Sequence, residues 1–418
     1  MRIPATLAVT YLFYPKLIKE EGLMKKFLVF FNVILLMLPM MALADFIDNG
    51  DGTVTDTDTG LMWQQDTASD NYTWEQALVY CEALDFAGHT DWRLPTPKEL
   101  TTIVDFGESD PAIDESVFPG TASWLYWSST TEDSNGSWAW AIGFYYGYVR
   151  DHQKTEDTYK VRAVRSGGGV PALWPVPDTG QTGSYTGTFG EDSDYSINTP
   201  SYTKLDDGCV ELADGASDWV MVRDDVTGLV WERKHNWNGI ANYGNPNDAD
   251  NTYTWYDGAT GTDGAGTDTQ DFIDALNAAV YGGFADWRMP TEKELLTIVN
   301  YGQHSPAVNT TYFSPTASDY YWSSDSYAPA PALRAWPVRF DDGYTTNTRL
   351  KAEPHYVRAV KDGCPGGAST TTSVEPSTTT TVANSTTTTT SVEPSTTTTV
   401  ANSTTTTTSV GPVTTTSV

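Results

Sequence analysis

The sequence predicts an α+β protein made of two copies of one module, each with two helices beside an antiparallel sheet, followed by a disordered threonine-rich tail. Three short blocks recur in the same order 195 or 196 residues later: Asp91–Thr96 as Asp286–Thr291, Tyr126–Ser129 as Tyr321–Ser324, and Val161–Val164 as Val357–Val360. Ordered repetition of this kind indicates that one module was duplicated. Capping signals at the helices and aromatic-rich strands after them supply the α+β pattern.

The module boundaries follow from these blocks and from the composition between them. We divide the chain into an upstream extension with a signal peptide (1–44), a first module (45–166), a linker rich in Gly, Pro, Ser and Thr (167–204), a second module (205–363) and a low-complexity tail (364–418). The tail consists mostly of threonine and lacks the apolar residues that a core needs, so we expect an extended spacer.

The segment Met24–Ala44 has the pattern of a secretory signal peptide. It has a short basic start, an apolar run over Phe27–Leu38 and a small-residue end. An uncleaved anchor is the alternative, but the run is shorter than the roughly 20 residues that a bilayer span needs. We therefore expect cleavage before Asp45, no membrane span afterwards, and a secreted, periplasmic or cell-surface protein. Whether residues 1–23 are translated is left open.

The charge of the chain excludes one class of partner. Its 54 acidic and 24 basic side chains give a formal net charge of −30, which repels nucleic acid. Solubility alone explains such acidity, and binding of Ca²⁺ or cationic ligands is the alternative. The stretch Asp48–Asp56 resembles a Ca²⁺ loop, but Ile47 would occupy the first ligand position, so we favour a tight turn followed by a strand.

Each copy begins with a core strand and a helix. Gly60–Trp63 predicts the strand and returns as Gly228–Trp231. Thr73 and Gln76 then form a capping-box pattern. Apolar residues follow at helical spacing up to Gly88, which we expect to end the helix. The second copy repeats this helix from about residue 270 to 282.

The recurring Asp-Trp-Arg block predicts a strand-to-helix turn. Thr96 can cap a helix and Glu99 completes its capping box, while Arg93 is placed to hold a carboxylate or backbone carbonyls. Gly107 and Gly302 are expected to end the two helices. We interpret the residues of this motif as scaffold: Trp92, Arg93, Thr96 and Glu99 in the first copy, and Trp287, Arg288, Thr291 and Glu294 in the second.

A meander of short aromatic strands fills the latter half of each module. The predicted strands of the first copy are Tyr126–Ser129, Trp138–Ile142, Phe144–Val149 and a closing strand over Tyr159–Val164. The second copy has matching segments and a turn at Asp341–Gly343. It also carries a polar insertion, Asn236–Asp268, and such loops often bind ligands.

Aromatic side chains are the candidate ligand-binding residues. The chain has 15 Trp and 23 Tyr, more than two small cores need, and such rings stack on sugars or anchor protein interfaces. The candidates that core packing constrains least are Trp124, Trp138, Tyr145, Tyr146 and Tyr148 in the first module, with Trp237, Tyr243 and Trp255 in or beside the insertion.

Three cysteines are too few for a dense disulfide scaffold. Cys209 and Cys364 bracket the second module, and we expect a bridge between them, which export would permit. Cys81 falls on the apolar face of the first predicted helix, so we interpret it as a buried thiol rather than a nucleophile.

Several motifs together resemble a bacterial domain family whose best-known member is the C-terminal domain of the Legionella collagen-like adhesin. In the first copy they are Asn49–Val54, Thr59–Trp63, Asp91–Thr96, Trp127–Ser129 and Val161–Val164. The resemblance covers roughly 45–166 and 205–363. The Arg93–Thr96 element is also similar to one in formylglycine-generating enzymes, and this implies a C-type-lectin-like fold for each module.

The resemblance implies a secreted or cell-surface tandem binding protein, with adhesin-like recognition of glycan or surface polymer. The collagen-like adhesin binds sulfated glycans, for which this acidic chain is ill suited. A structural or protein-interaction component of the cell envelope is the alternative. An enzyme of the formylglycine-generating type is disfavoured, because neither module has the required cysteine pair. No histidine spacing for zinc and no nucleophile elbow occurs, so we expect no catalysis and no cofactor, with Ca²⁺ left open. The oligomeric state is left open as well.

Overall fold

The computed structural model describes residues 46–167, 169, 171–264 and 266–365. The predicted signal peptide and all but the first residues of the predicted tail lie outside this part of the chain. Within it, short antiparallel sheets and a few helices confirm the α+β class. Labels below follow chain order.

The first module is built from two antiparallel sheets and two helices. Its elements are β1 (Phe46–Asp48), β2 (Thr53–Asp56), β3 (Met62–Gln64), α1 (Trp74–Glu82), α2 (Pro97–Thr102), β4 (Leu125–Thr131), β5 (Trp138–Gly143), β6 (Tyr148–Gln153) and β7 (Val164–Arg165). One sheet has the order β1-β2-β3-β7 and the other β4-β5-β6. The first and last strands of the module therefore share a sheet.

The second module repeats this plan with small changes. Its elements are β8 (Tyr202–Asp206), β9 (Val210–Glu211), β10 (Met221–Asp224), β11 (Val230–Glu232), α3 (Thr269–Ala278), α4 (Glu292–Thr297), α5 (Thr310–Phe313), β12 (Tyr320–Ser326), β13 (Ala335–Arg339) and β14 (Val360–Lys361). The sheet orders are β9-β8-β10-β11-β14 and β12-β13. Among the described residues only two strands form this second sheet, and isolated bridges at Thr345 and Leu350 take the place of a third.

The helices begin where the capping patterns predict but end earlier. The Thr96 hydroxyl accepts from the Glu99 amide at 3.2 Å, and α2 begins at the next residue, Pro97. The prediction that glycines end the helices was wrong, because α1 stops at Glu82 and α2 at Thr102. Beyond α2 the chain turns to hydrogen bond with another segment, and the later glycine lies in that loop.

Two predicted strands of the first module are also corrected. The segment predicted as a strand over Phe144–Val149 begins with a turn, and β6 starts only at Tyr148. The amide of Gly147 donates to the Gly143 carbonyl at 2.8 Å, which closes the turn. The closing strand is reduced to Val164–Arg165. The residues before it pair through isolated bridges such as Tyr72 with Tyr159.

The two modules pack against each other through α2 and α4. The Lys98 ammonium donates to the Thr297 carbonyl at 2.9 Å, and the Lys293 ammonium donates to the Thr102 carbonyl at 2.8 Å. Each lysine thus binds the last carbonyl of the opposite helix. Because the paired residues occupy equivalent positions of the repeat, the contact is reciprocal, as in a twofold-symmetric dimer.

Aromatic rings continue the reciprocal contact. Trp140 meets Tyr301 edge to face with ring centroids 5.3 Å apart, and Phe106 meets Trp336 in the same way at 5.4 Å. One continuous cluster of buried apolar residues includes members of both modules. The modules therefore share this cluster, and each also has a buried apolar cluster of its own.

The described residues between the modules, 167, 169 and 171–201, are packed against both; we call them the connecting segment. The Gln181 side chain accepts from the Thr131 amide at 3.0 Å and donates to the Thr131 carbonyl at 2.8 Å. The Tyr301 amide donates to the Thr179 carbonyl at 2.9 Å. The connecting segment therefore supplies part of the buried structure despite its linker-like composition.

Candidate functional site

Of the predicted ligand-binding aromatics, the structure brings three together: Tyr145 and Tyr146 on the turn between β5 and β6, and Trp124 just before β4. Trp124 is 44% exposed, and Tyr145 and Tyr146 are half-buried beside it. The ring centroids of Trp124 and Tyr145 lie 5.7 Å apart, and those of Tyr145 and Tyr146 lie 6.4 Å apart. We call these three residues the aromatic strip.

Backbone hydrogen bonds hold the aromatic strip in place. The Phe144 amide donates to the Trp124 carbonyl at 2.9 Å, and the Phe144 carbonyl accepts from the Ala112 amide at 2.7 Å. Gly147 closes the turn with φ +102°, and a Cβ there would lie 2.6 Å from Val104. A side chain at this position would therefore distort the turn that presents the two tyrosines.

Tyr146, at the inner end of the strip, packs against the second module. Tyr146 meets Tyr327 edge to face at 5.4 Å between ring centroids, and Tyr327 is buried. Desolvation, with a smaller effect of the Asp110 carboxylate, raises the pKa of Tyr145. Its hydroxyl therefore stays protonated and able to donate at neutral pH. The strip thus combines apolar ring faces with a hydroxyl donor, which suits a ligand that has both kinds of surface.

The same turn of the second module carries acidic residues. Asp319, Asp341 and Asp342 occupy the positions of Trp124, Tyr145 and Tyr146. The backbone is equivalent, because the Phe340 amide donates to the Asp319 carbonyl at 2.9 Å. Arg339 forms an ion pair with Asp342. Among the described residues, the aromatic version of this turn therefore occurs only in the first module.

Tyr148 and Trp138 lie outside the aromatic strip. Tyr148 is half-buried, packs against the core of the first module, and has a pKa that desolvation raises. Trp138 stands at the start of β5, the opposite end of the strand from the turn. Neither offers a ring face continuous with the strip.

The predicted insertion Asn236–Asp268 is two loops separated by a core stretch. The first loop is held by Asp250, whose carboxylate accepts from the amides of Asn238 and Gly239 at 2.7 and 2.8 Å. It presents Trp237 and Tyr243, which are 47% and 41% exposed. These two residues form a second exposed aromatic group.

Trp255 belongs to the core stretch between the loops. It is 3% exposed, its indole nitrogen donates to the Ser323 carbonyl at 2.7 Å, and the Lys351 ammonium lies 3.4 Å from its ring centroid. Trp74 has equivalent contacts in the first module, with Ser128 and a lysine. Trp255 therefore has no free face for a ligand. The repeated Tyr-Thr-Trp triplet at residues 72–74 and 253–255 is the sequence signal of this equivalence.

The recurring motif forms an ion pair at the start of α2 and of α4, and the pair at α2 is buried. Arg93 donates to both oxygens of Glu99 at 2.7 and 2.5 Å, and both side chains are buried. Burial raises the pKa of Glu99, but Arg93 and the Thr96 amide reverse this effect and lower it overall. The ion pair fixes the strand-to-helix turn and offers no accessible group to a ligand.

The second copy of the motif is more open. Arg288 donates to Glu294 at 2.7 and 2.6 Å, but its side chain is 39% exposed and also binds Asp362 at 2.7 Å. Thr291 and Glu294 keep the helix cap. The indole nitrogens of Trp92 and Trp287 each donate to a backbone carbonyl, at 3.1 and 2.9 Å. These contacts place the motif in the scaffold.

Comparison with known proteins identifies the family of the chain. A family model described as the Lcl C-terminal domain matches residues 52–165 and 220–361. The chain belongs to the Lcl C-terminal domain family. The two matches fall one in each copy of the repeat and confirm the tandem pair that the motifs predicted. No curated protein matches the chain.

Membership associates the chain with surface proteins. In the part of the chain that the structure describes, no helix is long and apolar enough to cross a membrane. The same residues contain no group of three or more histidine, cysteine or acidic side chains arranged to hold a metal ion.

The Asp48–Gly52 stretch, which resembles part of a Ca²⁺ loop in sequence, forms a turn, in which the Asp48 carboxylate accepts from the Gly50 amide at 2.8 Å.

The cysteines of the two Lcl C-terminal domains have different states. Cys209 and Cys364 form a disulfide bond that joins the beginning and end of the second domain. Cys81 is buried on the inner face of α1, and burial raises the pKa of its thiol well above its usual value. A thiol in this environment remains protonated and unreactive.

Proposed function

We propose that this pair of Lcl C-terminal domains is a secreted or cell-surface, non-catalytic binding protein that recognises glycan or surface polymer through the aromatic strip. One observation carries the proposal: Trp124, Tyr145 and Tyr146 lie side by side at the surface, with neighbouring ring centroids 5.7 and 6.4 Å apart. Rigid rings with polar edges provide a large contact area at little entropic cost.

The charge of the chain narrows the ligand class. A net charge of −30 opposes sulfated or other polyanionic polymers. Asp110 is exposed beside Tyr145, so the local potential is negative too. We therefore assign the strip to uncharged or cationic saccharides.

A glycan array on the purified protein, with and without Ca²⁺, tests the proposal. Trp124→Ala is expected to weaken binding about tenfold, as loss of one stacking ring does in other interfaces. The matched control is Asp319→Ala, which truncates the equivalent position of the second domain and should leave binding unchanged. An array without hits, or equal losses in both variants, would refute glycan recognition by the strip.

The first insertion loop supports a second candidate function, a protein-interaction role at the cell envelope. Beside Trp237 and Tyr243, Ile240 is 71% exposed, and an apolar tip on a hydrogen-bonded loop is typical of interaction surfaces. Capture of envelope proteins by the wild type but not by Trp237→Ala would favour this role. Equal capture by both would argue against it.

The state of the cysteines supports a non-catalytic protein. Formylglycine formation needs an available cysteine pair, whereas Cys209 and Cys364 are bonded to each other and Cys81 is buried. Oxidation of a cysteine-containing sulfatase peptide by the purified protein would overturn this part of the proposal.

A further inference from the structure

The outer face of α1 is unusual for a surface helix because its centre is apolar. Trp74, Leu78 and Cys81 are buried on the inner face. On the outer face Val79 is 55% exposed, one turn after Glu75. Burial inside the domain does not explain a valine at this position.

This outer face lies along a shallow, wide-open depression of the surface, which we call the groove. Tyr72 and Thr188 of the connecting segment are both among the residues that line it. The connecting segment is fastened to the helix here, since the Thr186 hydroxyl donates to the Glu75 carboxylate at 2.7 Å. The groove therefore has walls from two separate parts of the chain.

The groove is acidic. Asp70, Glu75 and Asp85 contribute carboxylates, and none of the described residues that line it is lysine, arginine or histidine. The last turn of α1 has no basic residue, so the carbonyls at the end of the helix add to the negative potential. A cation in the groove would meet favourable charge at both ends.

A tyrosine pair gives the groove ring faces that can also bind a cationic ligand. The rings of Tyr72 and Tyr80 lie 5.1 Å apart, and the Tyr80 hydroxyl accepts from the Gln64 amide nitrogen at 3.0 Å. Ring faces attract ammonium and guanidinium groups, and they also pack against the aliphatic part of lysine and arginine. Val79 adds an apolar contact between the charged ends.

The second domain lacks this groove chemistry. At the equivalent positions of α3, Asp274 replaces Val79 and Ala275 replaces Tyr80. Asp274 accepts from Gln270 at 2.8 Å within the helix. The equivalent of Tyr72, Tyr253, is 2% exposed. The repeat thus provides an internal comparison in which the fold is kept and the groove is lost.

We propose that the groove along α1 is a docking site for an extended, lysine- or arginine-bearing segment of a partner protein that also carries apolar side chains. Three carboxylates, of which Glu75 also interacts with the nearby Lys154, a tyrosine pair and an exposed valine match this occupant. The site shares no residue with the aromatic strip, which consists of two tyrosines on the turn between β5 and β6 and of Trp124 before β4.

Fluorescence anisotropy of the full chain with a fluorescein-labelled octapeptide of alternating lysine and leucine tests the proposal. Glu75→Gln combined with Asp85→Asn is expected to weaken binding about tenfold, and Val79→Arg to abolish it. All three positions are exposed, so the variants should fold. An octapeptide of alternating glutamate and leucine should not bind.

The control must distinguish binding in the groove from non-specific attraction of the basic peptide to the acidic chain. Asp274→Asn combined with Glu115→Gln removes the same charge from exposed positions outside the groove and should leave affinity unchanged. Equal weakening by both double variants would mean non-specific attraction and would overturn the proposal, as would an absence of binding by the wild type. Loss of peptide binding in Trp124→Ala but not in Val79→Arg would also overturn it, by moving the site to the strip.

Discussion

The two domains have the same buried scaffold and different surfaces. The turn between β5 and β6 and its second-domain equivalent are held by matching hydrogen bonds, including 2.9 Å bonds from Phe144 to Trp124 and from Phe340 to Asp319. Only backbone atoms make these bonds, so the side chains were free to differ. The first domain exposes aromatic rings there, and the second exposes carboxylates. The comparison teaches that this fold fixes the position of the turn but not its chemistry.

The domains also differ in the hydrogen bonds made by one side chain of β4 and its counterpart in β12, the strands beside α2 and α4. In the first, Thr130 donates to Asp192 of the connecting segment at 2.6 Å. In the second, Asp325 occupies the position of Thr130, and its carboxylate accepts from the Glu292 amide at 2.6 Å. The first domain therefore depends on a carboxylate from outside its own repeat, whereas the second supplies its own.

The largest expected difference concerns the ion pairs of the repeated motif. Arg93→Ala leaves Glu99 buried without its partner, and we expect the free energy of unfolding to fall by about 3–5 kcal/mol. Arg288→Ala should cost only about 1 kcal/mol, because that pair is partly exposed. Urea denaturation followed by tryptophan fluorescence measures both. Equal losses of unfolding free energy in the two variants would show that the greater burial of the Arg93–Glu99 pair does not increase its contribution to stability.

The next effect is confined to the second domain. Replacing Cys209 and Cys364 by serine removes a bridge across a sequence separation of 155 residues. We expect a loss of about 2–4 kcal/mol in the free energy of unfolding. Dithiothreitol should destabilise the wild type and the control Cys81→Ala but not the double variant. Destabilisation of the double variant by the reductant would contradict the assignment.

The third effect tests the dependence of the first domain on Asp192. Burial, with the nearby Asp178 carboxylate, raises the pKa of Asp192 from 3.8 to about 7. The folded chain therefore holds this proton more tightly than the unfolded chain. The resulting stabilisation is complete below about pH 4 and is lost as the pH rises through 7.

The measurement is the unfolding free energy of the wild type and Asp192→Asn between pH 5 and 7. We expect the wild type to lose about 2 kcal/mol more than the variant over this range, since one proton changes stability by at most about 1.4 kcal/mol per pH unit. Parallel pH profiles would show that Asp192 does not hold the proton.

The smallest effect would sharpen the contrast between the two turns. Asp319→Trp combined with Asp341→Tyr and Asp342→Tyr should copy the three rings of the aromatic strip onto the second domain. If the strip binds glycan, we expect about a twofold rise in the amount of soluble oligosaccharide bound at saturation, with unchanged affinity per site, and a rise in apparent affinity for an immobilised polymer. Surface plasmon resonance in both formats measures it. An unchanged binding response in this Asp319→Trp variant would mean that aromatic residues at this turn do not by themselves make a binding site.

Local signals predicted the scaffold well. The helix starts at Thr96 and Thr291 depend on residues three positions apart, so they can be read from the sequence. The ends were missed because the chain turns directly after α2, where the Asp105 amide donates to the Ala112 carbonyl at 3.1 Å. The cluster that the two domains share was missed for another reason: Trp140 and Tyr301 each look like core residues of their own domain, and their contact joins distant parts of the chain.

The candidate site was predicted in part. The sequence identified Trp124, Tyr145 and Tyr146 as aromatics with little need of a core, but their grouping depends on the bend at Gly147. Trp255 was included because its loops looked continuous in sequence. The groove on α1 was not predicted, because one valine on a polar helix face is a weak signal without the wall that the connecting segment supplies.

The reciprocal contact between α2 and α4 has an evolutionary consequence. In a homodimer of single domains, one gene encodes both halves, so any substitution on an exposed turn appears twice, once on each side of the axis. A single chain carries no such constraint, even though Lys98 and Lys293 form a symmetric junction. One half can therefore present aromatic rings and the other carboxylates at equivalent positions, which no symmetric assembly of identical subunits could do.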